Sequence, residues 1–357
     1  MKWIGRFRHR GRAAVVLGGQ FGSEGKGAAV AWLATQCDRF DVVTTNAAAQ
    51  AGHTSIHNGV KHVVNHLPTA PLIQTGSHVY LNAGCVIDPE LLFDELARTN
   101  YFPRCDSFTI DPMATIITPE CKDEEQAADS QQTLIASTRK GVGVALARKT
   151  LRSGMTARDH PELSPFIKRL NLNTMMGRDS MSVLVEVPQG LDLSLNSMFY
   201  PHVTSRNCTV AQGLADAGIH PCFIGPVMLV LRCHPIRVGN IVENGKTLGN
   251  SGGVWSDQRE LTWDEIGRPP EITTVTGRVR RVFSWSAQQT DNAISACRPD
   301  VVFLTHCDYI DLIGVGQRVR DIVRSYKRHQ LPLPLLVLSR GPSTADVHIV
   351  EKITDVA

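Results

Sequence analysis

The chain has 357 residues, 42% of them apolar and 20% charged, with 37 Lys and Arg against 34 Asp and Glu for a formal charge of +3. This is the composition of an ordinary globular enzyme, not of a nucleic-acid-binding protein, and no apolar run approaches the roughly 18 residues that cross a bilayer. Lys2, Arg6, Arg8, Arg10 and Arg12 crowd into residues 1–12, a basic N-terminal extension without the apolar core or cleavage site of a secretory signal.

The first apolar run, 13–17, breaks into Gly18-Gly19-Gln20-Phe21-Gly22-Ser23-Glu24-Gly25-Lys26-Gly27, and a helix-compatible stretch, 28–34, follows. A buried strand, a glycine turn and a helix start with a lysine at the junction make a phosphate cradle. The glycines let N–H groups turn inward, the helix offers its positive end, and Lys26 adds a full charge. The loop is one residue longer than the standard Walker A, and no Ser or Thr follows the lysine.

Further apolar, β-branched runs recur at 41–45, 62–66, 78–81, 107–110, 183–187, 227–231, 301–304 and 335–338. Several are apolar on successive residues, as strands covered on both faces are. Helical patterns lie between them at 26–37, 89–99, 120–137, 209–217, 291–296 and 315–328. This alternation predicts an α/β fold with a P-loop-like, mostly parallel central sheet flanked by helices, in a single catalytic domain over 13–357. Residues 250–290 are rich in Gly, Ser, Thr and Arg and read as long binding loops. Nine scattered cysteines with no Cys-x-x-Cys pair point to reduced thiols and a cytoplasmic compartment. Thirteen histidines without metal spacing argue against a structural zinc site.

Gly18-x-Gln20-x-Gly22-x-Glu24-Gly25-Lys26-Gly27 resembles the N-terminal loop of adenylosuccinate synthetases, GxQWGDEGKGK, and Asn46-Ala47-Ala48-Ala49-Gln50-Ala51-Gly52-His53-Thr54 resembles their GGHNAGHT segment. Those enzymes phosphorylate the purine C6 oxygen with a nucleoside triphosphate and then let aspartate displace phosphate. The resemblance implies a homodimer, Mg²⁺ and four groups of site residues. Gly22, Ser23, Glu24, Gly25, Lys26, Gly27, Gly52, His53 and Thr54 would hold the triphosphate; Ser23 and the Gly52 carbonyl would meet the metal; Ser23, Lys26, His53 and Gln189 would serve catalysis. Asn46, Gln50, Ser137, Thr138, Arg152, Gln189, Thr204 and Val238 would join Ser23 around the monophosphate, with Arg152 reaching into the neighbouring subunit. The segments carrying them are similar to the family's GTTGRGIG, EGAQG, YPYVTSS and RVGAG.

The aspartate loop ATTGRRRR is matched by Thr273-Thr274-Val275-Thr276-Gly277-Arg278-Val279-Arg280-Arg281, so Thr274, Thr276, Arg278 and Arg280 take its ligand positions. Two arginines two apart in a loop can both fork onto one dicarboxylate. The base pocket of the triphosphate, LTKLD and STGP in the family, is matched by Thr305, His306, Asp308, Ser339, Gly341 and Pro342.

The sequence departs from the family most sharply at Ser23, where an aspartate serves as base and metal ligand. A serine is no base at neutral pH, but it leaves room for the C2 amine of guanine and can accept a hydrogen bond from it. The same loop variant is found in the phage-encoded relatives, the 2-aminoadenylosuccinate synthetases. The expectation is therefore a ligase consuming dGMP, L-aspartate and ATP or dATP, in preference to GTP, in the host cytoplasm. The alternatives are an enzyme that acts on IMP and a silent nucleotide-binding protein.

Overall fold

The apolar runs of the sequence become neighbours in one nine-stranded sheet. The computed structural model describes residues 7–127, 130–273 and 276–350. The strands are β1 (Ala13–Gly18), β2 (Val42–Thr45), β3 (Ser77–Leu81), β4 (Cys105–Ile110), β5 (Val183–Gly190), β6 (Ile224–Arg232), β7 (Val301–Thr305), β8 (Leu335–Ser339) and β9 (Val347–Val350). Their order across the sheet is β9-β8-β7-β6-β1-β5-β2-β3-β4, parallel throughout except for β9. All six residues of β1 are buried, because β5 and β6 flank it and helices cover both faces.

The two faces divide by the two-residue period of a strand. Ala13, Val15 and Leu17 point into a core shared with helices α5 (Ala287–Cys297) and α6 (Leu312–Arg328). Ala14 and Val16 point to the other side, against Ala29, Val30, Trp32 and Leu33 of helix α1 (Lys26–Gln36). Phe7, only 3% exposed, joins this second core, and Arg8 pairs with Asp41 at 3.3 Å. Residues 7–12 therefore lie against the domain.

Parallel strands collect their C-terminal ends along one edge of the sheet, where open α/β folds bind ligands. Here that edge gathers the loop after β1, Gln189 in β5, Arg232 at the end of β6, Thr305–Asp308 after β7 and Ser339–Pro342 after β8.

Three local differences from the sequence pattern have physical causes. The run at 62–66 leaves the main sheet: Val60–Val64 pairs antiparallel with His53–His57 in a hairpin packed on α1. Gly27 permits this approach, since a Cβ there would collide with the Thr54 carbonyl. The pattern at 120–137 is interrupted, with helix α3 (Pro119–Gln126) ending before a short turn at Gln131–Leu134 capped by the Ser130 side chain. Helix α5 starts earlier than its apolar pattern, at Ala287, because Ser286 caps it by accepting from Gln289 N at 2.8 Å. Among the described residues no helix is long and apolar enough to cross a membrane.

Gly190 sits where β5 passes under the glycine loop. A Cβ there would press on the Gln20 carbonyl, the Gly22 nitrogen and the Glu24 carboxylate together. Two of these atoms are backbone and the carboxylate is buried and held by three hydrogen bonds, so Gly190→Ala is expected to cost about 3 kcal/mol. Urea unfolding checks this: an unchanged midpoint would mean that the loop yields.

Candidate active site

The loop after β1 turns through three left-handed residues, Gly22 (φ 84°), Ser23 (φ 57°) and Gly25 (φ 92°). Such a conformation lines up N–H groups around a concavity, and Gly25 delivers the chain into α1 without a side-chain cap. Glu24 does not face that concavity. It folds beneath the loop, fully buried, and accepts from Gln20 N at 3.0 Å, Gly22 N at 2.9 Å and Lys26 Nζ at 2.7 Å. The expectation that Glu24 lines the phosphate site is thus corrected: its carboxylate braces the loop from below. Thr305 ties β7 to the same turn by donating to the Glu24 carbonyl at 2.6 Å.

Above the loop lies a cavity of about 590 Å³. Gly22, Ser23, Gly25, Lys26 and Gly27 form its floor, and Gly52, His53 and Thr54 of the hairpin form one wall. His53 is 9% exposed, and burial, with the Lys26 ammonium beside it, pushes its pKa down to about 3. The ring is therefore neutral at physiological pH. It presents an N–H donor without adding charge.

Gln50, Ser137, Thr138, Gln189, Thr204 and Val238 line a second lobe. Gln50 donates to Thr204 Oγ1 at 3.3 Å, so the longer amide that replaces the family's asparagine reaches across this lobe. Gln189 takes a positive φ of 70°, which turns it out of the strand toward the cavity. Helix α4 (Val142–Thr150) begins beside the lobe, and Glu125 accepts from Gly141 N, Gly143 N and Val144 N there. That carboxylate, 3% exposed and with its pKa raised by burial, pins the 137–143 turn in place.

Thr305, His306, Asp308, Ser339, Gly341 and Pro342 line a third region, against the ends of β7 and β8. Burial and the neighbouring Arg232, Arg280 and His234 hold the His306 pKa well below its ordinary value, so this ring is neutral too.

Three further expected site residues do not line this cavity. Asn46 is buried off the cavity and donates to Asp216 Oδ2 at 2.6 Å. Arg278 turns away and donates to the carbonyls of Ala136 at 3.0 Å and Ser137 at 2.9 Å, joining its loop to the start of the 137–143 turn. Arg152 is exposed on the outside of its own chain, at a positive φ of 64°. Thr274 lies outside the described residues. Thr276 and Arg280 do line the cavity, and Arg280 Nη1 donates to Ser23 Oγ across it.

Pattern reading missed the group that holds Arg280. Glu271 accepts from Arg232 Nη1 at 3.1 Å and Tyr309 Oη at 2.9 Å, and stands 3.8 Å from Arg280 Nε. Burial is the largest single influence and opposes its ionisation, but Arg232, Tyr309 and Arg280 together outweigh it and lower the pKa from its ordinary value. Arg237 is 3% exposed and lies 4.0 Å over the Phe21 ring, fixing the loop laterally by a cation–π contact. Arg232 and Glu271 carry no motif of their own; only the fold brings them together.

The adenylosuccinate synthetase family model matches residues 15–176 and 162–317. The N6-succino-2-amino-2'-deoxyadenylate synthase of Vibrio phage phiVC8 is 35% identical over 349 residues, covering 95% of this chain and 98% of the phage protein. The adenylosuccinate synthetase of Pyrococcus horikoshii is 33% identical over 350 residues, with 95% and 98% covered. A solved structure of the succinoaminodeoxyadenylate synthetase of cyanophage S-2L, bound to dGMP and to dATP as an energy donor, superposes with a TM-score of 0.83. It is 28% identical, with 97% of each chain covered. The chain belongs to the adenylosuccinate synthetase family and is an enzyme of that carbon–nitrogen ligase type.

The environment of His53 makes a titration prediction. Its imidazole is expected to show no protonation step between pH 5 and 8 in NMR titration. Burial and Lys26 both disfavour the imidazolium, so Lys26→Met removes one of the two effects. The pKa then rises but stays below 6.5, because burial persists. A wild-type ring titrating near 6.5 would contradict the burial described here.

Proposed function

We propose that this enzyme joins the amino nitrogen of L-aspartate to C6 of dGMP, using ATP or dATP, to give 2-amino-2'-deoxy-N6-succinyl-AMP, the nucleoside diphosphate and phosphate. The γ-phosphoryl group passes to the guanine O6, breaking its bond to the diphosphate. The aspartate amine then bonds to C6, and phosphate leaves with that oxygen. The observation that carries the reading is Ser23, a small neutral side chain on the cavity floor where the family has an aspartate. It leaves space beside N1 for the C2 amine of guanine, and the printed ligands of the cyanophage relative, dGMP and dATP, support the same pair here.

The residues divide the work by charge. Lys26 and the loop N–H groups neutralise the triphosphate, and the neutral His53 donates to the oxygen in transfer, placed before the charge develops. Ser137, Thr138, Gln50, Gln189 and Thr204 orient the monophosphate. Arg280 and Thr276 face the dicarboxylate, with Arg280 released from Ser23 as ligands enter.

Among the described residues no cluster of three acidic, His or Cys side chains could cage a metal. Oxygen donors at Ser23 and the Gly52 carbonyl fit Mg²⁺, which keeps waters and phosphate oxygens as most of its ligands. Bound there, it would offset phosphate charge during transfer. All nine cysteines are free thiols, which supports a reducing cytoplasm as the working compartment.

Phosphate release with Mg²⁺, ATP and L-aspartate tests the reading, comparing dGMP, GMP and IMP with product masses checked. Aspartate-dependent turnover of dGMP in preference to IMP is expected, and Ser23→Asp should reverse the preference by at least about tenfold, since a carboxylate crowds the C2 amine. Turnover of IMP alone would make this an ordinary adenine-forming enzyme, and silence with all three would leave a binding protein.

Arg152 is assigned to the site of a partner subunit in a symmetric homodimer. Mixing Arg152→Ala with Lys26→Met subunits, each inactive alone, should then regenerate about a quarter of wild-type activity, because one site in four carries neither lesion. No recovery after verified subunit exchange would place Arg152 outside the site.

A further inference from the structure

At the donor-base wall, Asp308 is not a free carboxylate. Arg268 lies beside it in the cavity, with Nη2 donating to the Asp308 backbone carbonyl and standing 3.4 Å from Asp308 Oδ2. The guanidinium is packed 4.7 Å over the Tyr309 ring, and Tyr309 is held by its hydroxyl to Glu271. Arg268 is thus fixed from two sides, while its side chain keeps 37% of its surface exposed toward the opening. Among the described residues no protein donor reaches Asp308 Oδ1.

The chemistry of purine edges gives this arrangement a meaning. Guanine offers two adjacent donors, N1–H and N2–H, and is best read by a carboxylate with both oxygens free. Adenine offers one donor, N6–H, beside one acceptor, N1. A carboxylate with one oxygen engaged by a guanidinium presents the complement of adenine: one free oxygen beside N–H donors. We propose that Arg268 is a specificity-determining residue of the donor site, pairing with Asp308 so that the site takes adenine nucleotides and rejects guanine nucleotides. The inference rests on assigning this wall to the donor base, and it adds a residue that the motifs around Thr305 and Ser339 do not contain. It also keeps the donor site from competing for guanine nucleotides, which the proposed acceptor supplies.

Equilibrium binding of the non-hydrolysable analogues AMPPNP and GMPPNP to the purified enzyme with Mg²⁺ tests this directly. Wild type should favour AMPPNP by about tenfold or more, the scale of one mismatched charged hydrogen-bond pair. Arg268→Met, which removes the guanidinium from Tyr309 and Asp308 but keeps an unbranched side chain of similar reach, should shrink that ratio about tenfold, chiefly by tighter GMPPNP binding. Arg268→Lys, charged but without the planar fork, should fall between. A gain of affinity for one nucleotide cannot come from misfolding. An unchanged ratio in Arg268→Met, or a wild type preferring GMPPNP, would overturn the inference. Binding is read without an acceptor, so an enzyme that fails to turn over dGMP yet shows the shift keeps this inference and loses the proposed acceptor.

Discussion

The ion pair between Lys26 and Glu24, buried beneath the glycine loop, is the contact on which the site depends. Two charges are held at 2.7 Å with side chains 7% and 0% exposed, and the carboxylate also takes two backbone N–H groups. Such a pair adds little net stability over apolar packing, because desolvation offsets attraction. Its value is geometric. Removing either partner strands a buried charge at about 3–5 kcal/mol, so the loop has one conformation rather than several. Thr305 hangs on the same turn, and through it the end of β7 is fixed relative to the glycine loop.

Cations dominate the rest of the cavity. Lys26, Arg232, Arg237, Arg268 and Arg280 line it against Glu125, Glu271 and Asp308. Each of these three carboxylates has a fixed task that is not substrate binding in the ligand-free chain: Glu125 pins a helix start, Glu271 joins Arg232 to Arg280, and Asp308 anchors Arg268. The surplus positive charge suits a site for two phosphorylated ligands and a dicarboxylate. Glu271 and Asp308 hold the arginines in their orientations.

Much of this was legible in the chain itself, for reasons that differ by residue. The central strands showed because burial on both faces demands consecutive apolar residues, as in 13–17 and 301–304. The phosphate floor showed because positive φ demands glycine at 22 and 25. What escaped were contacts between distant segments. The run at 62–66 looked like one more sheet strand, since pairing partners leave no local mark. Glu24 looked like a ligand because its position in the motif says nothing of which way the side chain turns. Arg278 read as a twin of Arg280, yet the two diverge, one to carbonyls at 136 and 137 and the other to Ser23. Arg232, Glu271 and Arg268 had no pattern at all, because their meaning arises only where β6, the 260s loop and the end of β7 converge.

On the proposed reading, the contact between Ser23 and Arg280 joins the floor under the nucleobase to the arm that faces the amino acid. A hydroxyl there lets the guanidinium go at the cost of one hydrogen bond to a neutral acceptor, whereas a carboxylate would hold it by an opposite charge. On the proposed reading, the residue that selects the purine also sets how readily Arg280 turns to the amino acid. The two affinities are then thermodynamically linked: whatever factor dGMP lends to aspartate, aspartate returns to dGMP. A change of purine at this position would then carry with it a change in the aspartate concentration at which the enzyme works.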